Sequence, residues 1–229
     1  MKKFELTNEF VTNMFGTKLF RIRALVEFGD VEAGELGGYV EKESNLGHDD
    51  NAWVYDNAWV YGNAQVSGNA WVCGNAQVSG NAWVYGDAQV SGDARVYDNA
   101  WVYGDAQVSG DALVYGNARV YGNALVYDNA WVYGNARVCG DARVCGNGDY
   151  AYAHGFGSVN RTTTFFRLKD GGVGVRCGCF YGTLAQFRDK IRETHGETKK
   201  AQEYLMLADL MELRFEEDEN EVGNRKYVE

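Results

Sequence analysis

Asn81-Ala82-Trp83-Val84-Tyr85-Gly86, Asp87-Ala88-Gln89-Val90-Ser91-Gly92 and Asp93-Ala94-Arg95-Val96-Tyr97-Asp98 are three consecutive copies of one six-residue phrase. The phrase, Asn/Asp-Ala-x-Val-y-Gly, runs unbroken from Asn51 to Gly146, with Asp in the Gly place at Asp56, Asp98 and Asp128. Alanine recurs at every sixth position from Ala52 to Ala142 and valine from Val54 to Val144, making sixteen units without an insertion. A period of six does not fit a helix. In an extended segment Ala and Val, two apart, point to one side while x and y point to the other. The Gly-Asn/Asp pair supplies the corner, because Gly accepts positive φ and Asn/Asp tolerate it. A short strand and a corner at fixed period describe a parallel β-helix. One such strand cannot bury its Ala/Val side alone, whereas stacked coils bury it and gain a hydrogen-bonded ladder above and below. A buried valine contributes about 1.5–3 kcal/mol, so the column stabilises the solenoid without disulfides. The chain contains no proline, which would interrupt the ladder.

The phrase Val-y-Gly-Asn-Ala-x resembles the left-handed β-helix hexapeptide repeat, in which an aliphatic residue is followed four places later by a small one. That resemblance implies a mainly β fold with three hexads per triangular coil, so sixteen hexads make about five coils. Residues three hexads apart then stack on one face. The outward columns read Trp53, Trp71, Gln89, Gln107, Leu125, Arg143; then Trp59, Gln77, Arg95, Leu113, Trp131; then Gln65, Trp83, Trp101, Arg119, Arg137. Two tyrosine ladders follow, Tyr97-Tyr115-Tyr133 and Tyr85-Tyr103-Tyr121. Trp59, Trp83, Trp101, Trp131, Tyr85, Tyr103 and Tyr121 are the candidates for an oligomer or partner face. Trimers are common in the resembled family, so a homotrimer is expected.

The remainder of the chain is less regular. Residues 1–50 hold a strand, Lys18 to Leu25, and a degenerate coil that caps the open end. In this reading Leu36 lies three hexads before Val54, while Val40 and Leu46 lie two hexads and one hexad before Ala52. Residues 51–146 are the solenoid, and 147–160 are a closing coil or linker. Residues 161–215 form a small α+β domain: a hairpin of Thr162 to Leu168 and Val173 to Phe180, then two helices. The first helix opens on a capping box at Thr183-Leu184-Ala185-Gln186. The second carries an apolar stripe of Ala201, Tyr204, Leu205, Ala208, Met211 and Phe215. Residues 216–229 are an acidic tail.

The net charge of −10 and pI near 4.8 argue against nucleic acid as a partner. No stretch reaches the roughly 20 apolar residues that span a membrane, and no apolar h-region follows Met1-Lys2-Lys3. Five cysteines suit a reducing cytoplasm better than a disulfide framework. Cys177 and Cys179 lack the second pair that a zinc site requires, so neither metal nor cofactor is expected. Many hexapeptide-repeat proteins are acyltransferases, which need a histidine projecting from the solenoid. Here His48, His154 and His195 all lie outside the regular hexads, so acyl transfer is disfavoured. The densest polar cluster is Arg161, Thr162, Thr163, Thr164 and Arg167 with Arg176 across the hairpin. Guanidinium groups beside hydroxyls suit an anion such as a nucleotide, and His154 and His195 could join them.

The layout also resembles hexapeptide-repeat proteins of phages and prophages. The similarity is carried by Arg21-Ile22-Arg23-Ala24-Leu25, Gly37-Gly38-Tyr39-Val40-Glu41, Cys177-Gly178-Cys179-Phe180 and Thr194-His195-Gly196, together with the Asn-Ala-x-Val-Tyr-Gly run. It implies a non-enzymatic binding protein whose solenoid presents a C-terminal ligand-binding domain in the host cytoplasm. One form is a counter-defence protein that sequesters a nucleotide immune signal. The alternative is an inhibitor of a host protein, or a structural oligomer, using the aromatic faces.

Overall fold

A computed structural model of the chain describes residues 2–157 and 160–216. The acidic tail therefore lies outside the described residues, apart from Glu216. The hexads form a β-solenoid in which each unit contributes a short strand, such as Trp53–Val54 or Trp83–Gly86. Each strand pairs in parallel with the units three hexads before and after it, as Gln89 with Trp71 and Gln107, and Trp101 with Trp83 and Arg119. Three faces result. Face 1 carries Val54 through Val144, face 2 Val60 through Val132, and face 3 Val66 through Val138. Every repeat alanine and valine is fully buried. With the additional strand Leu36–Val40 in face 2, the solenoid makes about six turns.

The corners follow from backbone sterics. The repeat glycines from Gly62 to Gly140 sit at φ between 64° and 73°, where a Cβ is penalised. Asp56 and Asp98 hold a similar conformation, at φ 51° and 59°. Each turns its carboxylate to the next coil, accepting from the Gly74 amide at 3.1 Å and the Gly116 amide at 3.2 Å.

The amides of the x and y residues donate toward the next coil, while the parallel pairing returns the Val amides to the preceding one, so most amides between coils point one way. The Trp53 amide bonds the Ala70 carbonyl and the Tyr55 amide the Val72 carbonyl, and the pattern repeats along the stack. The first coil therefore has carbonyls that no preceding hexad can satisfy. The N-terminal segment supplies their donors. Tyr39, Glu41 and Gly47 amides bond the carbonyls of Ala58, Val60 and Val66. The Asn45 side-chain amide reaches the Gly62 carbonyl at 3.1 Å and the Ala64 carbonyl at 2.8 Å. The Lys3 ammonium reaches the Asp50 carbonyl at 3.2 Å and the Ala52 carbonyl at 2.8 Å.

This cap differs from the sequence reading in several respects. Val40 and Leu46 sit opposite Val60 and Val66, two positions beyond the three-hexad spacing, because the chain is longer by two between Leu46 and Val54 than one hexad allows. Gly37 and Gly38 let the capping strand lie close, since a Cβ on them would come within 2.5 Å of the Val54 carbonyl and 2.6 Å of the Ala58 carbonyl. The expected strand, observed at Lys18–Ala24, pairs antiparallel with a second strand, Phe4–Thr12, whose register shift between Leu6 and Phe10 blurs its alternation. Trp53 does not face outward. It is fully buried beneath Phe4 and Phe28, at ring distances of 6.2 and 5.3 Å.

At the other end, strands Tyr150–Phe156, Arg161–Arg167, Val173–Cys177 and Phe180–Thr183 form an antiparallel sheet in chain order. Residues 147–160 are thus not only a linker, since Tyr150–Phe156 is the sheet's first strand. The expected second hairpin strand is broken by a turn at Gly178, φ 59°, so Phe180 begins a further strand. Helix α1 (Leu184–His195) starts on the expected capping box, with the Gln186 amide donating to Thr183 Oγ1. Helix α2 (Lys199–Phe215) buries Ala201, Tyr204, Ala208, Met211 and Phe215. The helices cover one side of the sheet through Phe165, Val175 and Phe187. Phe166 and Tyr150 on its other side join the solenoid core. Among the described residues no helix is long and apolar enough to cross a membrane.

Two substitutions test this account. Gly80→Ala would put a Cβ 2.8 Å from the Asp98 amide nitrogen at positive φ; a loss above about 1 kcal/mol is expected in urea denaturation. Lys3→Met should cost about 1–3 kcal/mol by leaving two carbonyls unsatisfied. Burial pushes the Lys3 ammonium down to about 8 from 10.5, against the pull of Asp50 and Asp49. The unfolded chain holds that proton more tightly, so below about pH 8 the fold carries the full cost of the buried ammonium, and that cost is relieved as pH rises toward 10.5. Stability from this group therefore rises with pH across that window, and the difference between wild type and Lys3→Met in urea should shift in favour of wild type from about pH 8 to about pH 10.

Candidate functional site

The alternation of a strand separates the Arg/Thr cluster. Neighbouring side chains of Arg161–Arg167 fall on opposite sides of the sheet. On the helix side, Thr163 is fully buried and donates to Cys177 Sγ at 3.2 Å. Arg167 is buried there too, donating to the Phe215 carbonyl at 3.1 Å and lying 3.5 Å from Asp149. On the solenoid side, Thr164 is fully buried, and its Oγ1 accepts from the Arg137 amide at 2.9 Å. Arg176, opposite Thr164, donates to the Cys179 carbonyl at 3.4 Å. His154 and Thr162 do meet, 2.8 Å apart across the strand pair, beside the exposed Arg161. His195 stacks on Tyr204 at 6.0 Å. The predicted residues do not share one cavity, and Thr163, Thr164 and Arg167 are occupied by structural contacts.

Thr164 belongs to a set that closes the C-terminal coil, whose amides have no further hexad to accept from them. Asn147 Oδ1 accepts from the Trp131 amide at 2.9 Å. Asp149 Oδ2 accepts from the amides of Cys145 and Gly146, each at 3.0 Å.

The aromatic columns, in contrast, lie where the period places them. Trp59 and Trp131 are both on face 2, with three strands between them. Face 3 gathers the others. Trp83 and Trp101 stack at 5.9 Å, and the Arg119 guanidinium lies 4.5 Å over Trp101. Tyr85, Tyr103 and Tyr121 stack at 5.0 and 4.8 Å with ring planes within 2°. Because each ring lies flat on the next, the π faces are used within the ladder, and ring edges and hydroxyls meet solvent. Ring edges carry the positive end of the aromatic quadrupole. Burial holds the Tyr85 and Tyr103 hydroxyls above the ordinary phenol range, and the charges of Arg119, Arg137 and Arg176 act on Tyr103 in the opposite sense. These hydroxyls therefore remain protonated donors near neutral pH. Among the described residues, Arg119, Arg137 and Arg176 form no ion pair. Face 3 is thus a strip of donors and cations on an acidic protein.

Arg119 and Arg137 could be placed on this strip from the three-hexad spacing. Arg176 could not, because only docking of the C-terminal sheet brings it beside Tyr121. None of the five cysteines is joined in a disulfide. Among the described residues, no group of three or more His, Cys, Asp or Glu side chains could hold a metal ion.

A family model described as the YdcK beta-solenoid repeat matches residues 52–68, 58–74, 76–89, 88–104, 106–120 and 118–134. No curated protein matches the chain. The matched stretches are hexads that build the three faces, and over them the chain is similar to the YdcK beta-solenoid repeat.

Proposed function

We propose that this chain is a non-enzymatic binding protein in which the solenoid is a rigid scaffold and face 3 takes an anionic small molecule of the nucleotide class. The observation that carries the reading is the set of Arg119, Arg137 and Arg176, without an ion pair among the described residues and flanked by protonated tyrosine hydroxyls. Guanidinium forks suit phosphate oxygens, and partial desolvation by the ladder strengthens each contact. In its concrete form the protein is phage-borne and sequesters a nucleotide immune signal in the host cytoplasm. The anion chemistry then lies on face 3 rather than on the Arg161–Thr164 cluster. His48, which an acyltransferase would need free, is engaged by the Lys3 amide and Glu43 in the N-terminal cap.

The test is equilibrium binding to a panel of cyclic nucleotides and ADP-ribose derivatives. Arg119→Gln/Arg137→Gln uses a residue native to the x place elsewhere in the repeat, at Gln89 and Gln107, so the fold should be retained. Saturable binding that weakens at least tenfold in this variant and at raised salt is expected. A panel without any ligand, or unchanged binding in the folded variant, would overturn the reading.

A second reading is self-association as a homotrimer through face 2, or docking of a host protein there. It is favoured by Trp131 and Tyr133, which remain 46% and 40% exposed on adjoining positions. Native mass spectrometry should then give a trimer that Trp131→Gln converts to monomer. A wild-type monomer in both spectra would remove the trimer.

A further inference from the structure

The N-terminal cap creates a cleft separate from face 3. The loop around Gly29 and Asp30 overhangs the first coils of face 1 and encloses about 260 Å³. Its apolar walls are Tyr55 and Trp71, set edge to face with ring centroids 6.3 Å apart. Unlike the rings of the face 3 ladder, Trp71 has no ring stacked flat upon it among the described residues, because the next residues in its column are Gln89 and Gln107. Its indole is 40% exposed.

The charged lining has one sign. Asp30 comes from the loop and Asp87 from the corner ladder. Asp87 Oδ1 accepts from the Asn69 side-chain amide at 2.9 Å, and Asn69 in turn accepts from Asn51 at 3.2 Å. That chain of amides fixes the carboxylate and occupies one of its oxygens. Gln89 completes the floor. Among the described residues, neither Asp30 nor Asp87 forms an ion pair with a cation. The field reaches Tyr55, whose hydroxyl is raised first by burial and then by Glu35 and Asp30.

We infer that this cleft is a binding site for a compact organic cation, a primary ammonium or guanidinium group held between Asp30 and Asp87 against the rings of Tyr55 and Trp71. Carboxylates supply the charge, and open aromatic surface supplies cation–π attraction. An anion is excluded by the two carboxylates. A hard divalent cation would take six or more oxygen ligands and gain nothing from the rings. The same head group can arrive on a free amine or on a lysine or arginine side chain. The inference does not depend on the face 3 reading.

The experiment titrates the full chain with n-butylammonium, n-butylguanidinium and the blocked peptide acetyl-Gly-Lys-Gly-amide at constant ionic strength, followed by calorimetry. n-Butanol is the neutral control. The variants are Asp30→Asn/Asp87→Asn and Trp71→Gln. Asn is native at the Asp87 place in other units, as Asn69 and Asn123, and Gln is native at the Trp71 place, as Gln89. Within the solenoid both variants stay in the repeat's own alphabet. Saturable binding of the cations, at least tenfold weaker in each variant and absent for n-butanol, is expected. Peptide binding at least tenfold tighter than n-butylammonium would assign the site to a partner's side chain, and equal or weaker peptide binding to a free amine. Equal affinity for n-butanol, unchanged affinity in Asp30→Asn/Asp87→Asn, or lack of saturation in the wild type would overturn the inference.

Discussion

The constraint on which this molecule depends is the polarity of its coil-to-coil hydrogen bonds. Each hexad sends most of its amides toward the C-terminal end, as the Gln89 amide does to the Ala106 carbonyl, and only the Val amide points back. A stack built this way has two chemically different ends, one presenting mainly carbonyls and one presenting mainly amides. Buried backbone groups without partners are costly, so each end requires its own chemistry. The N-terminal end uses donors, the Lys3 ammonium and the Asn45 amide. The C-terminal end uses acceptors, Asn147, Asp149 and Thr164. Both caps also prevent the open-edge pairing to which exposed strands are prone.

That requirement explains why the most suggestive polar sequence is largely structural. Thr164 is an acceptor for the last strand of face 3, and Arg167 sits against the carboxylate that caps face 1. Their residue types are those of an anion site, yet their partners lie within the fold. The cations of face 3 differ because the repeat needs no polar group on its outward positions. The Ala/Val core and the backbone ladder are complete without them, so Arg119 and Arg137 stay on the outward side.

The solenoid also determines what an aromatic residue can offer. In the interior of a ladder, such as Tyr103, both ring faces are covered and only the edge and hydroxyl remain. Where the column changes to Gln, a ring face is open, as at Trp71. A single repeat therefore displays cationic strips and acidic clefts at different heights, with the sign set by which side chains neighbour one another along the axis.

The sequence alone determined the solenoid, its three faces, the buried Ala/Val columns, both tyrosine ladders and the Arg119–Arg137 column. Each follows from a period of six and from neighbours three hexads away that repeat the same phrase, so local preference and long-range pairing agree. The capping box at Thr183 was legible for a related reason, since it is a local contact with Gln186. Tertiary structure alone decided the burial of Trp53, the offset of Val40 and Leu46 from the repeat register, the strand Tyr150–Phe156 and the division of the Arg/Thr cluster between two sides of a sheet. It also decided the approach of Arg176 to the tyrosine ladder and of Asp30 to Trp71. These are contacts between segments of unlike sequence, and no periodicity connects a cap residue to the coil end whose unpaired amide or carbonyl it satisfies.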